Sequence, residues 1–350
     1  MAATNRLFTL HPLLLQTAYS ELKRLAGEQR VLLVGTPGSV SEREVKGSRF
    51  LYRQYYDAVG EKNADYIGPA GDVDAIARAG LIREQISLAG EIASTARILF
   101  AQGYARADDR VCAILAALAN QGLFRAGALV IGSYAYAACL NDAGARAATF
   151  ATEDIDVARD RPLSLELAEG VTFESVLAQS KVPLFAIPTL DRKQASTSYT
   201  TRGRDRLRVD LVVPTQERMP KVLPVRELRT HAMGLPHLRY LVAETAFGLV
   251  MGRHSVVPVR IPRPERLALH KMLVSQLRAA TSDKRAKDIE QASVLVAILA
   301  EQAPTALAEA FADVPRSAIE KTRRGAAQVI ARLCGADHGR AAALLEAAVL

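Results

Sequence analysis

Two short stretches decide how this chain is read: residues 153–157, Glu153-Asp154-Ile155-Asp156-Val157, and residues 206–213, Arg206-Leu207-Arg208-Val209-Asp210-Leu211-Val212-Val213. Both alternate with the period of two that sends successive side chains to opposite faces of a strand. Asp154 and Asp156 therefore share one face, with Ile155 and Val157 directed into a core. In the second stretch Leu207, Val209 and Leu211 form the buried side, and Arg208 and Asp210 lie together on the other. Neighbouring carboxylates repel unless a cation lies between them, and an acid mid-strand among apolar residues is costly unless something pairs with it. Hard oxygen donors at this spacing suit Mg2+ or Mn2+, which in turn hold a triphosphate. Glu153 points to the other face or lies at the strand start, and is expected to be a surface acid.

Upstream, Leu129-Val130-Ile131-Gly132-Ser133 reads as a buried strand ending in Gly-Ser just before a helix of small residues. Glycine lets the backbone approach a ligand closely, serine can cap the helix or bond a phosphate oxygen, and a helix N-terminus favours anions. Downstream, Pro264 sits where a first-turn proline would open a helix running to about Arg278.

Further out, three regions are expected. Residues 1–105 form an amino-terminal module: a helix from His11 to Glu28, a short strand at Val31–Val34, a β-hairpin over Lys46–Pro69, and one or two helices over Asp72–Gly103. The hairpin crowds Phe50, Tyr52, Tyr55, Tyr56 and Tyr66 around Lys46, Arg49 and Arg53; such aromatics could stack bases, but more often pack a hairpin onto a core. Residues 106–225 mix helices with short strands, including ones near Leu184–Ile187 and Ser196–Thr200. Residues 226–350 read as nearly all helical. The fold class is α+β, a mixed-sheet core flanked by the amino-terminal module and a carboxy-terminal helical domain.

The 350 residues carry a net charge of +8, which favours anionic partners such as polyphosphate or nucleic acid. Cys112, Cys139 and Cys334 are scattered, lack CxxC spacing and sit in apolar helical context, so each is expected to be a buried thiol rather than part of a disulfide or zinc site. His231, His237, His254 and His270 show no metal-ligand spacing. The longest apolar runs, Leu241–Met251 and Val294–Ala300, fall short of the ~20 residues of a membrane span. A soluble, cytoplasmic protein with no membrane partner is the expectation.

Together, Gly132-Ser133, Asp154-Ile155-Asp156 and Asp210 resemble the pattern of the DNA polymerase β-like nucleotidyltransferase superfamily. The stretch between Ser133 and Asp154 is longer than that family's usual spacing, so Asn141–Thr152 is expected to include an extra loop. Lys46-Gly47-Ser48-Arg49 with the aromatic run to Pro69, and the later Pro262-x-Pro264…Lys271…Lys284-x-x-Lys287-Asp288, look like a prokaryotic nucleotidyltransferase-fold family. The resemblance implies transfer of an NMP from a nucleoside triphosphate to an acceptor hydroxyl, by in-line attack on the α-phosphorus with pyrophosphate leaving. Asp154, Asp156 and Asp210 would be the catalytic and metal-holding acids of a two-metal site. Gly132, Ser133, Lys271, Arg208 and Lys287 would face the nucleotide, with Asp288 a further candidate. RNA is the favoured acceptor, ahead of protein or a small molecule. A metal-dependent glycosyltransferase also uses Asp-x-Asp, but does not call for Gly-Ser at a helix start or a third acid on a later strand. The stronger rival is a catalytically silent module of the same fold that senses nucleotides or binds RNA.

Overall fold

The computed structural model describes residues 6–148, 152–163, 171–188, 196–203 and 205–349. The amino-terminal part comprises β1 (Phe8–Leu10), α1 (Leu13–Glu28), β2 (Ser39–Val45), β3 (Ser48–Tyr56), β4 (Lys62–Pro69) and the long helix α2 (Val73–Ala101). Asp72 fixes the start of α2, its carboxylate accepting from the amides of Asp74 and Ala75. The expected hairpin is a three-stranded antiparallel sheet, because β2 pairs with β3 along its whole length. Val31–Val34 is not a strand. There the side-chain amide of Asn120 bonds both the N–H and the C=O of Leu32, in the place a neighbouring strand would take. Val40, Leu51 and Ile67 pack one face of the sheet against Ala79 and Ile82 of α2.

The middle of the chain runs through α3 (Asp109–Asn120), α4 (Leu123–Ala126), β5 (Leu129–Ile131), α5 (Gly132–Asp142), β6 (Ala145–Ala147), β7 (Asp154–Ala158), α6 (Phe173–Ala178), β8 (Phe185–Ala186), β9 (Ser198–Thr200), β10 (Arg208–Pro214), β11 (Lys221–Val225) and β12 (Thr230–Leu235). Seven of these strands make one mixed sheet, with β10 at its centre. Along one edge β10 pairs in parallel with β7; along the other it meets β9 antiparallel in its first half and β12 parallel in its second. β5 closes the far side of β7 antiparallel. Within the expected loop, β6 pairs with β1, and residues 149–151 lie outside the described residues.

The last part holds α7 (Leu238–Val242), the hairpin β13 (Thr245–Met251) and β14 (Val256–Pro262), then α8 (Pro264–Ser275), α9 (Asp283–Gln302), α10 (Ala306–Ala312), α11 (Arg316–Gly335) and α12 (Gly339–Val349). Continuous helix thus begins at Pro264, at the first turn of α8, and not near residue 226. The Val- and Ile-rich strands before it are apolar on both faces, so they carry no period that separates strand from helix. Leu249, Met251 and Val256 of this hairpin pack against Leu22 of α1 and Ile92, Ala96 and Leu99 of α2. α11 lies against α8 so closely that a Cβ on Gly325 would run into the carbonyl oxygen of Met272. Cys112 and Cys139 are buried as expected, but Cys334 near the end of α11 is exposed, on the helix side turned from the core. Among the described residues no single helix is long and apolar enough to cross a membrane. Only α9 with α10 pass such a test as a pair, bent by 120°, and residues 291–300 of α9 are buried in the core.

Candidate active site

The parallel register of β7 and β10 sets Asp156 opposite Asp210 and Asp154 opposite Arg208. Beneath them Ile155, Val157, Val209 and Leu211 are buried, so the apolar side of both strands is spent on the core and the acids stand on the other face. Antiparallel pairing brings Ile131 of β5 opposite Asp156, and the chain then turns at Gly132 into α5. Gly132 has φ +71°, and a Cβ there would lie 2.5 Å from Asp156 Oδ2. Both facts demand glycine: the first for its left-handed conformation, the second for the closeness of backbone to carboxylate.

Over the acid face lie α8 and the start of α9. The resulting cavity, about 260 Å³, is lined by Asp154, Asp156 and Asp210, by Gly132 and Ser133, and by Arg208, Lys271 and Lys287. Asp288 lines it too. Residues separated by up to 156 positions, from Gly132 to Asp288, thus converge on one space. Thr152, Arg278 and Lys284, to which the sequence reading gives no role there, complete it. Lys284, Lys287 and Asp288 follow helical spacing, and that stripe was the signal available for Lys284.

Charge in this space is unevenly matched. Burial, then the charges of Asp210 and Asp154, push the Asp156 carboxyl up to about 6, while Lys271 and Lys284 pull it back. Asp154 accepts from Lys284 Nζ at 3.1 Å. Asp210 accepts from Arg208 Nε at 2.7 Å and from the Ser198 hydroxyl on β9. Lys271 is buried rather than solvated; its Nζ lies 3.2 Å from Asp288 Oδ1, and Arg278 Nε lies 2.8 Å from Asp288 Oδ2. Burial, and after it the Lys271 charge, lowers the Lys287 ammonium. The lining therefore holds five cationic side chains (Arg208, Lys271, Arg278, Lys284, Lys287) against four carboxylates (Asp154, Asp156, Asp210, Asp288). Among the described residues no group of three or more His, Cys, Asp or Glu side chains is arranged to hold a metal ion; Asp154 and Asp210 are each paired with a cation.

Other candidates lie apart. Glu153 is exposed, its carbonyl accepting from the Arg208 amide. Of the basic run beside β10, Arg202 stacks over Phe185, and Arg204 lies outside the described residues. The aromatic-basic segment splits by face: Tyr55 is buried, whereas Phe50, Tyr52, Tyr56 and Tyr66 stand on the outward side of β3 and β4. Packing onto a core therefore accounts for only one of these five rings.

Over residues 109–315 the sequence matches a family model described as nucleotidyltransferase, a span that contains every residue of the cavity. No curated protein and no solved structure matches the chain. The matched span covers more than half of the chain, which belongs to the nucleotidyltransferase family.

Proposed function

We propose that this chain is a metal-dependent nucleotidyltransferase of the DNA polymerase β-like kind, moving an NMP from an NTP to an acceptor hydroxyl with release of pyrophosphate. The observation that carries the proposal is the in-register pair Asp156–Asp210, with Asp154 beside it and Gly132 leaving no side chain next to the Asp156 carboxylate. Three carboxylates on adjacent strands, one of them raised by burial and then by the charges of the other two, are hard oxygen donors that would hold Mg2+ or Mn2+ once Lys284 and Arg208 turn to the phosphates. When bound there, two such ions would offset the triphosphate charge and stabilise the attacking and leaving oxygens.

The chain's own groups divide the remaining work. Lys271, Lys284, Lys287 and Arg278 line the cavity and would face the triphosphate, neutralising the charge that grows on the departing pyrophosphate. Ser133 and the first amides of α5 would hold a phosphate oxygen. The acceptor oxygen forms its bond to the α-phosphorus as the bond from that phosphorus to the bridging oxygen breaks. The acceptor's proton passes to a carboxylate, for which Asp210, at the edge of the pair, is the candidate.

RNA is the favoured acceptor. On the outward face of the β2–β4 sheet, Tyr66 contacts Phe50 and Tyr52, and Arg43 lies over the Tyr52 ring. Glu42, Glu44 and Asp65 occupy the register positions of the opposite face, beside Leu51, Arg49 and Arg53. An aromatic, cationic surface without carboxylates suits stacked bases and a phosphate backbone of single-stranded RNA.

One observation favours a second reading, a catalytically silent module that senses nucleotides: Asp154 and Asp210 already have cationic partners in Lys284 and Arg208. The deciding experiment incubates the protein with each α-labelled NTP, Mg2+ or Mn2+, and total cellular RNA and protein, beside the doubly substituted Asp154→Ala/Asp156→Ala protein. Label on RNA with the wild type alone is the expected result. Metal-dependent NTP binding without label would establish the silent module instead, and neither binding nor label would sink both.

A further inference from the structure

Gln291 is completely buried in α9, and among the described residues neither its amide nitrogen nor its amide oxygen has a hydrogen-bond partner. Native structures seldom leave a buried amide with both ends unpaired. Its place is informative. Gln291 stands on the stripe of α9 that carries Lys284 and Asp288, three residues beyond Asp288 and seven beyond Lys284, so it continues the wall of the acid-lined cavity. It lines a second cavity of about 270 Å³, and Ser133 and Thr152 line both. The two spaces therefore adjoin at the start of α5.

Of the other polar side chains of the second cavity, Arg106 and Asp108 line it from exposed positions, and the Asp108 carboxylate accepts from Arg110. Ala105, Ala137, Leu249 and Met251 give it small or apolar walls. The Tyr134 and Tyr136 hydroxyls donate to the carbonyls of Thr152 and Ala148. The Asn141 amide is used twice on the backbone of Ala105. Among the described residues lining this cavity, Gln291 is the buried side chain still able to both donate and accept.

We infer that this cavity takes the nucleobase of the nucleotide whose triphosphate faces Asp154, Asp156 and Asp210, and that Gln291 reads the base's hydrogen-bonding edge. The inference rests on the proposed nucleotide site. A flat heteroaromatic ring fits a space with small and apolar walls and a buried polar group free to bond it. Every nucleobase presents a donor or acceptor pattern along its pairing edge that one primary amide, offering an N–H and a C=O side by side, can complement. Occupancy would satisfy both ends of Gln291 and couple base recognition to the helix whose first turns hold Lys284 and Lys287.

The test titrates ATP, GTP, CTP, UTP and inorganic tripolyphosphate, each with Mn2+, into the full chain and into the Gln291→Leu and Gln291→Glu proteins. The wild type is expected to separate the four NTPs by at least about tenfold in Kd, the worth of one or two hydrogen bonds. Gln291→Leu should bring the four together while tripolyphosphate binds as before, and its thermal midpoint should hold or rise because an unpaired amide is gone. Gln291→Glu, which removes the amide N–H donors while keeping the shape, should reorder the four. An unchanged ranking in both variants, or a wild type that binds all four NTPs and tripolyphosphate alike, would overturn the inference and leave the triphosphate site standing. If the wild type binds neither NTPs nor tripolyphosphate, the nucleotide site itself falls and the inference with it.

Discussion

The β7–β10 pair and the β2–β4 sheet are built by the same rule and put to opposite ends. Each buries one side of its strands, Ile155 and Val209 in the first, Leu51 and Ile67 in the second, and each frees the alternate side for other chemistry. In the first that side bears carboxylates and is roofed by α8 and α9, which bring lysines and Asp288 down onto it. In the second it bears tyrosines and an arginine, and Tyr56 and Tyr66 remain more than half exposed at 53% and 58%. Charge confined under a roof is perturbed, as the Asp156 carboxyl shows. The difference teaches that alternation locates a functional face, while what covers that face decides which physics it uses.

The contrast can be broken most forcefully at Gly132. Gly132→Ala sets a methyl against Asp156 Oδ2 and forces a left-handed conformation, so NMP transfer should fall ~10²-fold from displaced reacting groups. Stability should drop by only ~1–2 kcal/mol, the cost of that conformation, as read by denaturant titration. A fully active Gly132→Ala protein would show that the close approach of backbone and carboxylate is incidental. Next comes the roof. Lys271→Ala removes one of the cations that face the buried Asp288, and a broken buried pair should cost ~3 kcal/mol. NTP affinity should weaken in parallel; a loss of stability with unchanged NTP binding would make Lys271 a structural lysine only. The smallest effect belongs to the open sheet. Tyr52→Ala and Tyr66→Ala should each weaken single-stranded RNA binding by ~1–3 kcal/mol, the worth of one stacked base, without moving NTP affinity. Equal RNA affinity in both variants would turn that surface back into ordinary exposed aromatics.

Much of this was legible in the sequence, and the failures have physical causes. β7 and β10 stood out because alternation and misplaced acids coincide there. Pro264, Asp72 and Asp108 mark helix starts by chemistry that acts locally. β2 escaped notice because, as an edge strand exposed along most of its length, Ser39-Val40-Ser41-Glu42-Arg43-Glu44-Val45 shows no apolar alternation. β13 and β14 escaped for the opposite reason, being apolar on both faces. Lys284 looks from sequence like any solvated lysine at a helix start; only the packing of α9 over the sheet brings it to Asp154, 130 residues away. Gln291 is harder still, one amide in an Ala- and Val-rich helix. Its significance lies in the partners it lacks, which no local pattern records.

The glycine at position 325 acts as an instrument of control at a distance. Because α11 touches α8 backbone to backbone at Met272, the residue beside Lys271, the height of that lysine above the carboxylates is set by a surface more than fifty positions away in the chain. Any bulk added at 325 must tilt or lift α8, and the Lys271 ammonium with it. A random screen for inactive variants should therefore return changes in α11 that touch no nucleotide, and an inhibitor wedged between these two helices could silence the protein without entering its site.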